Sequence, residues 1–165
     1  MRVALLPLLI LAGITFGGGV AGADVYKSKL GKVSINIPKK WQVDAKDELV
    51  RASSPSGEVA IVMWIADSPD VKAAVTRLEG ELYSSIQGLK WVDKTKKLKV
   101  NKLAGTWVEG VGVSSRSTQL DVIVFVAGPT PAKKGVILLA VVDHDKYAAN
   151  RSAIQSVFGS LKPTK

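Results

Sequence analysis

The chain has 165 residues, 47% hydrophobic and 22% charged, which fits one globular domain with a buried core and excludes a fibre or a disordered tail. Lysines and arginines number 23 against 14 acids, and this formal charge of +9 favours anionic partners over cationic ones. With no cysteine, the chain has no disulfide framework, no thiol nucleophile and no N-terminal cysteine through which a lipid could be attached.

The start, "MRVALLPLLILAGITFGGGVAGA", carries Arg2 and then no charge until Asp24, around a Leu/Ile-rich centre that ends in small residues. This is the layout of a cleavable secretory signal over residues 1–23, with 24–165 left as one domain. A permanent membrane anchor is the rival reading, and Pro7 with the glycines at 13, 17, 18, 19 and 22 makes that segment a poor helix. Export places the chain in a periplasmic or extracellular setting, with no stable membrane span after cleavage. It also turns the basic charge away from nucleic acid.

The first strand is expected at "KVSINIP", where Val33, Ile35 and Ile37 alternate with Lys32, Ser34 and Asn36 before Pro38. "ELVRASS" and "EVAIVMWIA" flank the turn residues Ser54-Pro55-Ser56-Gly57 and read as a hairpin, its second strand apolar enough to be covered on both faces. A helix follows, with Ser68 as N-cap, Pro69 at the first helical position and an end near Gly88. Its inward stripe is Val71, Val75, Leu78, Leu82 and Ile86.

Next comes "KWVDKTKKLKVNKLAG", with six lysines, Lys90, Lys94, Lys96, Lys97, Lys99 and Lys102, close to Trp91. Leu98 and Val100 alternate with Lys97 and Lys99, so part of the stretch is a strand with an inward side. The lysines either guard a sheet edge against pairing or, with Trp91, form a binding patch for an acidic partner. "TWVEGVGV" is the returning strand, and "QLDVIVFVA" and "GVILLAVVD" are two apolar strands joined by "GPTPAKK". A final helix runs from about Lys146 to Leu161, capped by Asp143 or Asp145, with Tyr147, Ile154, Val157, Phe158 and Leu161 facing inward.

Adjacent strands with short connections imply an α+β fold, a mainly antiparallel twisted sheet of about six or seven strands with helices on its faces. Three features carry a resemblance: "VSINIPKKWQVD", "VNKLAGTWVEGVG" and the closing "IQSVFGSLKP". Together with the element order they resemble the PsbP-like and DcrB-like group of small domains. That group shares an α/β/α layered fold with photosystem extrinsic subunits and a eukaryotic Ran-binding import factor. The resemblance implies a non-enzymatic accessory or binding domain. Many exported relatives carry a lipid-anchoring cysteine, which this chain lacks.

Candidate chemistry is sparse. His144, the one histidine, stands between Asp143 and Asp145, where the aspartates suit a helix cap better than a metal site. No Gly-x-Ser-x-Gly elbow exists for a serine nucleophile, and no cofactor or metal motif is present. Glu109 shares a strand face with Trp107 and Val111, and Gly110 and Gly112 beside it allow a bulge or a close approach, so a small hydrolase using Glu109 is the enzymatic alternative. Asn150-Arg151-Ser152 fits a glycosylation sequon inside the expected last helix. The sequence thus implies an exported accessory domain whose partner is an envelope protein or an acidic surface.

Overall fold

The computed structural model describes residues 22–92 and 95–165. Of the expected leader over residues 1–23, all but Gly22 and Ala23 lies outside the described residues, and so does Lys94. In chain order the elements are β1 (Ala23–Ser28), β2 (Val33–Pro38), β3 (Gln42–Ala45), β4 (Leu49–Ser53), β5 (Val59–Ala66) and α1 (Lys72–Ser85). There follow β6 (Gln87–Trp91), β7 (Lys96–Val100), β8 (Leu103–Val113), β9 (Gln119–Ala127), β10 (Gly135–Asp143), α2 (His144–Gly159) and β11 (Lys162–Pro163).

The strands form two sheets, not the single sheet of six or seven expected. Eight build a large sheet in the order β3-β4-β5-β10-β9-β8-β6, with β7 also on β8, and three build a small one in the order β1-β2-β11. All the pairings are antiparallel. The α+β class and its layers hold: α1 covers one face of the large sheet, and α2 with the small sheet covers the other.

The centre of the large sheet follows from its composition. Every residue from Gly135 to Val142 is buried, because β10 lies between β5 and β9 with cover on both faces. Alternation divides its side chains. Val136, Leu138, Ala140 and Val142 join Ile61, Met63, Ile123 and Phe125 on the α2 side, while Ile137, Leu139 and Val141 join Val62, Val122 and Val124 on the α1 side. Leu78, Leu82 and Ile86 of the α1 stripe close the second cluster. Ile154, Val157, Phe158 and Leu161 meet Val33, Ile35 and Ile37 in the first. Each such side chain contributes about 1.5–3 kcal/mol when fully buried.

Several boundaries differ from expectation. α1 starts at Lys72 after Val71, not at Pro69. The Ser68 hydroxyl accepts the Asp70 N–H and Asp70 Oδ1 accepts the Lys72 N–H, so these polar groups close local turns before the helix instead of capping it from Ser68. α2 starts at His144, with Asp143 in the N-cap position and Asp145 in the first turn, but Asp143 makes no side-chain cap bond. Its carboxyl is held above the ordinary aspartate range by burial and by the negative charge of Glu58. Ser34, expected outward, is buried, and Asn36 is half-buried, its N–H donating to Ser160 Oγ at 2.8 Å, just past the end of α2.

Candidate binding surface

The lysine stretch lies at one edge of the large sheet. β6 and β7 both pair with β8, β7 along the first part of it and β6 along the second. Paired residues share a sheet face, so the register states where each lysine points. Lys96 lies opposite Trp107 and Lys90 opposite Val111, which places both on the α2 face. Lys97 lies opposite Thr106 and Lys99 opposite Ala104, on the α1 face. Leu98 and Val100 turn into the α2-side core, as their alternation implies.

Lys102, at the tip of the β7–β8 hairpin, is exposed with φ of 78°. Its neighbour Asn101 also has a left-handed backbone, φ 44°, and its side-chain amide donates to the carbonyls of Gly159 (2.7 Å) and Leu161 (3.0 Å). Asn tolerates this conformation better than most residues, and the two bonds fasten the hairpin tip to the end of α2. The lysines therefore stand on an anchored edge.

Trp91 has a different surrounding from the lysines. It is half-buried in the α1-side cluster, opposite Gly110, where a Cβ would stand 2.8 Å from Trp91 Cε3. The close approaches at Gly110 and Gly112 thus admit Trp91 and Ile86, which is packing beneath the helix layer. Lys90, Lys96, Lys97, Lys99 and Lys102 are all exposed, and among the described residues none forms an ion pair.

On the α1 face, beside the start of the helix, the sheet is open. A groove of about 650 Å³ runs over β8 and β9, with Thr106 and Val126 on its floor, Pro69 and Val71 on one wall, and Lys97 and Lys99 on the other. Its volume falls within the range of about 300–1,000 Å³ usual for ligand sites.

The α2 face carries a second polar group, assembled from distant parts of the chain. The Trp107 indole N–H donates to Glu109 Oε1 at 2.7 Å, and the ring meets Phe158 edge-on at 5.3 Å. His144 Nδ1 lies 3.0 Å from Asp121 Oδ2, a pairing across 23 residues that no local motif announces. The Tyr147 phenol is pushed above its usual range by burial and then by the charge of Glu109, with Arg151 opposing and Asp121 adding. Glu109 is thus engaged by an indole. No cluster of three or more His, Cys, Asp or Glu side chains that could hold a metal exists among the described residues.

No family model matches the sequence. No curated protein matches it either. The structural likeness is broad. The solution structure of cyanobacterial PsbP (CyanoP) from Synechocystis superposes with a TM-score of 0.64 at 12% identity, covering 92% of this chain and 98% of that one. The chain has the PsbP-like fold.

LpqN from Mycobacterium tuberculosis, described as involved in cell envelope biogenesis, follows this PsbP-like chain with a TM-score of 0.57 at 11% identity over 89% of it and 93% of LpqN. The yeast Ran-binding protein Mog1p gives 0.50 at 11% identity over 86% and 95% of the two chains. The fold resemblance read in "VSINIPKKWQVD" and the element order is therefore correct. No helix among the described residues is long and apolar enough to cross a membrane.

Proposed function

We infer that this PsbP-like chain is an exported accessory domain of the cell envelope that binds a partner protein and catalyses no reaction of its own. The observation that carries the reading is the anchored sheet edge: its exposed lysines are unpaired among the described residues, and two of them, Lys97 and Lys99, line an open groove. Charged groups left without intramolecular partners on a fastened edge are available to an acidic partner without reordering of the backbone that carries them. The leader over residues 1–23 supports export. Two neighbours of the same fold are described as Ran-binding and as involved in envelope biogenesis, which supports a binding role in that setting.

An anionic membrane is the alternative partner for the Lys90–Lys102 stretch. The division of Lys90 and Lys96 from Lys97 and Lys99 between opposite faces tells against it, because a surface lying flat on either face engages only half of the row. The enzymatic alternative at Glu109 finds that carboxylate already bonded to Trp107.

A photo-crosslinking residue placed at Lys96 or Lys99 in the native host, followed by mass spectrometry, tests the reading. One recurrent envelope protein is the expected capture. Captures that vary at random across growth conditions, or none, overturn it.

A further inference from the structure

The groove beside Lys97 and Lys99 has a shape and charge that narrow the partner's chemistry, an inference that rests on the binding role above. Lys97 and Lys99 are two residues apart on β7, so their side chains leave one face about 7 Å apart. An extended peptide has the same repeat, and carboxylates at alternate positions meet the two ammonium groups in register. Neither lysine has a carboxylate partner among the described residues. Between them and the opposite wall the floor is Thr106 and Val126, which pair directly across β8 and β9, and the wall is Pro69 and Val71. That surface is apolar or small, and it suits the uncharged side chains of the same peptide.

Two other occupants fit poorly. The leader of this chain contains Arg2 and no acid before Asp24, so it offers the lysines no counter-charge. A second copy of the chain brings its own lysine row and a formal charge of +9 to the same edge.

We propose that the groove holds an extended acidic segment of the partner protein, of the pattern acid-x-acid, with its two carboxylates on Lys97 and Lys99 and an apolar residue over Val126. Recognition needs both parts. The carboxylates set the register along β7, and the apolar contact against Val71 and Val126 distinguishes a peptide from a diffuse anionic surface.

The experiment measures fluorescence anisotropy of labelled octapeptides with purified protein at low and at physiological salt. The three probes alternate Glu with Val, alternate Gln with Val, or place the same Glu residues in one block. The alternating Glu peptide is expected to bind most tightly, and Lys97→Ala with Lys99→Ala to weaken it about tenfold, each exposed ion pair accounting for a factor of about two to five. Lys39→Ala with Lys40→Ala removes the same charge from exposed positions that do not line the groove and is expected to change binding less than twofold. Ala104→Trp, which fills the groove from its β8 side without altering charge, is expected to abolish it. Circular dichroism confirms that each variant is folded.

Equal binding of the block peptide, or equal losses in the two lysine pairs, overturns the proposal in favour of diffuse attraction. Binding to phosphatidylglycerol vesicles that Ala104→Trp leaves intact, with no peptide binding, overturns it in favour of a lipid surface. If no peptide binds while crosslinking at Lys96 still captures one envelope protein, the groove is excluded and the binding role stands.

Discussion

Asn101 and Leu161 are 60 residues apart, and the Asn101 amide donates to the Leu161 carbonyl at 3.0 Å as well as to that of Gly159 at 2.7 Å. One side chain thus joins the tip of the β7–β8 hairpin to the end of α2, and it does so from a left-handed backbone of φ 44°. Replacement with alanine removes both bonds and strains the backbone. Net hydrogen bonds contribute about 0.5–1.5 kcal/mol each, so Asn101→Ala is expected to cost about 2–3 kcal/mol in urea unfolding. Asn101→Gly keeps the backbone unstrained and is expected to cost less. Equal costs for the two would mean that the backbone conformation contributes nothing.

Gly110 admits Trp91. A methyl at Gly110 would lie 2.8 Å from Trp91 Cε3 and 3.1 Å from the Lys90 carbonyl oxygen, and the latter is main chain that cannot rotate away. Gly110→Ala is expected to destabilise by about 1–3 kcal/mol, the usual cost of overpacking. Against a Trp91→Leu background the cost should fall, since the larger ring is gone. A double-mutant cycle by chemical denaturation measures the coupling, and additive costs would contradict the contact.

Trp107 joins two layers through its ring and holds Glu109 through its nitrogen. Trp107→Phe retains an aromatic ring near Phe158 and loses the 2.7 Å bond to Glu109, so a loss of about 1–2 kcal/mol is expected. Trp107→Ala removes both contacts and should cost about 3 kcal/mol or more. Glu109→Gln keeps an acceptor in place and should cost less than either. Thermal melts order the three variants directly.

Tyr147 gives a pH dependence with a definite sign. Burial comes first and Glu109 second in holding its phenol above the ordinary value of 10.0. The folded state therefore binds this proton more tightly than the unfolded chain does. Its contribution falls as pH rises through 10 towards the folded value, because the unfolded tyrosine ionises first. Ultraviolet absorbance titration of Glu109→Gln should show Tyr147 ionising at lower pH, and Tyr147→Phe should flatten the alkaline loss of stability. An unchanged midpoint in Glu109→Gln would remove Glu109 as a cause.

Legibility in the sequence followed burial. "QLDVIVFVA" and "GVILLAVVD" correspond to β9 and β10 residue for residue, because strands covered on both faces are written as apolar runs. Most inward residues of both helices were readable from their three- and four-residue spacing, but Val71 of the expected stripe precedes α1 and lines the groove. The short strands β1, β3 and β11 were not. "ADVYKS" and "QVDA" are mostly exposed, and their identity as strands comes from partners elsewhere in the chain. Ser68 and Pro69 carried helix-start signals, yet the Ser68 hydroxyl accepts the Asp70 N–H in a turn ahead of Lys72 and the helix begins after Val71.

The candidate surface was legible in part. Leu98 and Val100 gave the parity of β7, so the outward position of Lys97 and Lys99 could be read. The same parity puts Lys96 on the face of Leu98, whereas Lys90 could not be assigned, because β6 carries a register shift between Gln87 and Lys90 where Gly88 has φ of 60°. The groove wall at Pro69 and Val71 comes from a segment nearly 30 residues before β7 in the sequence.

Periodicity and composition by themselves determined an α+β chain with two inward-striped helices, buried central strands and a basic edge, because short-range alternation records which side of each element meets the core. Only the tertiary structure decided that the strands separate into two sheets, that Lys90 falls on the α2 face with Lys96, and that His144 finds Asp121. Those outcomes depend on which strands pair and in what register, which is fixed by the joint burial of residues far apart in the chain and leaves no mark in any local pattern.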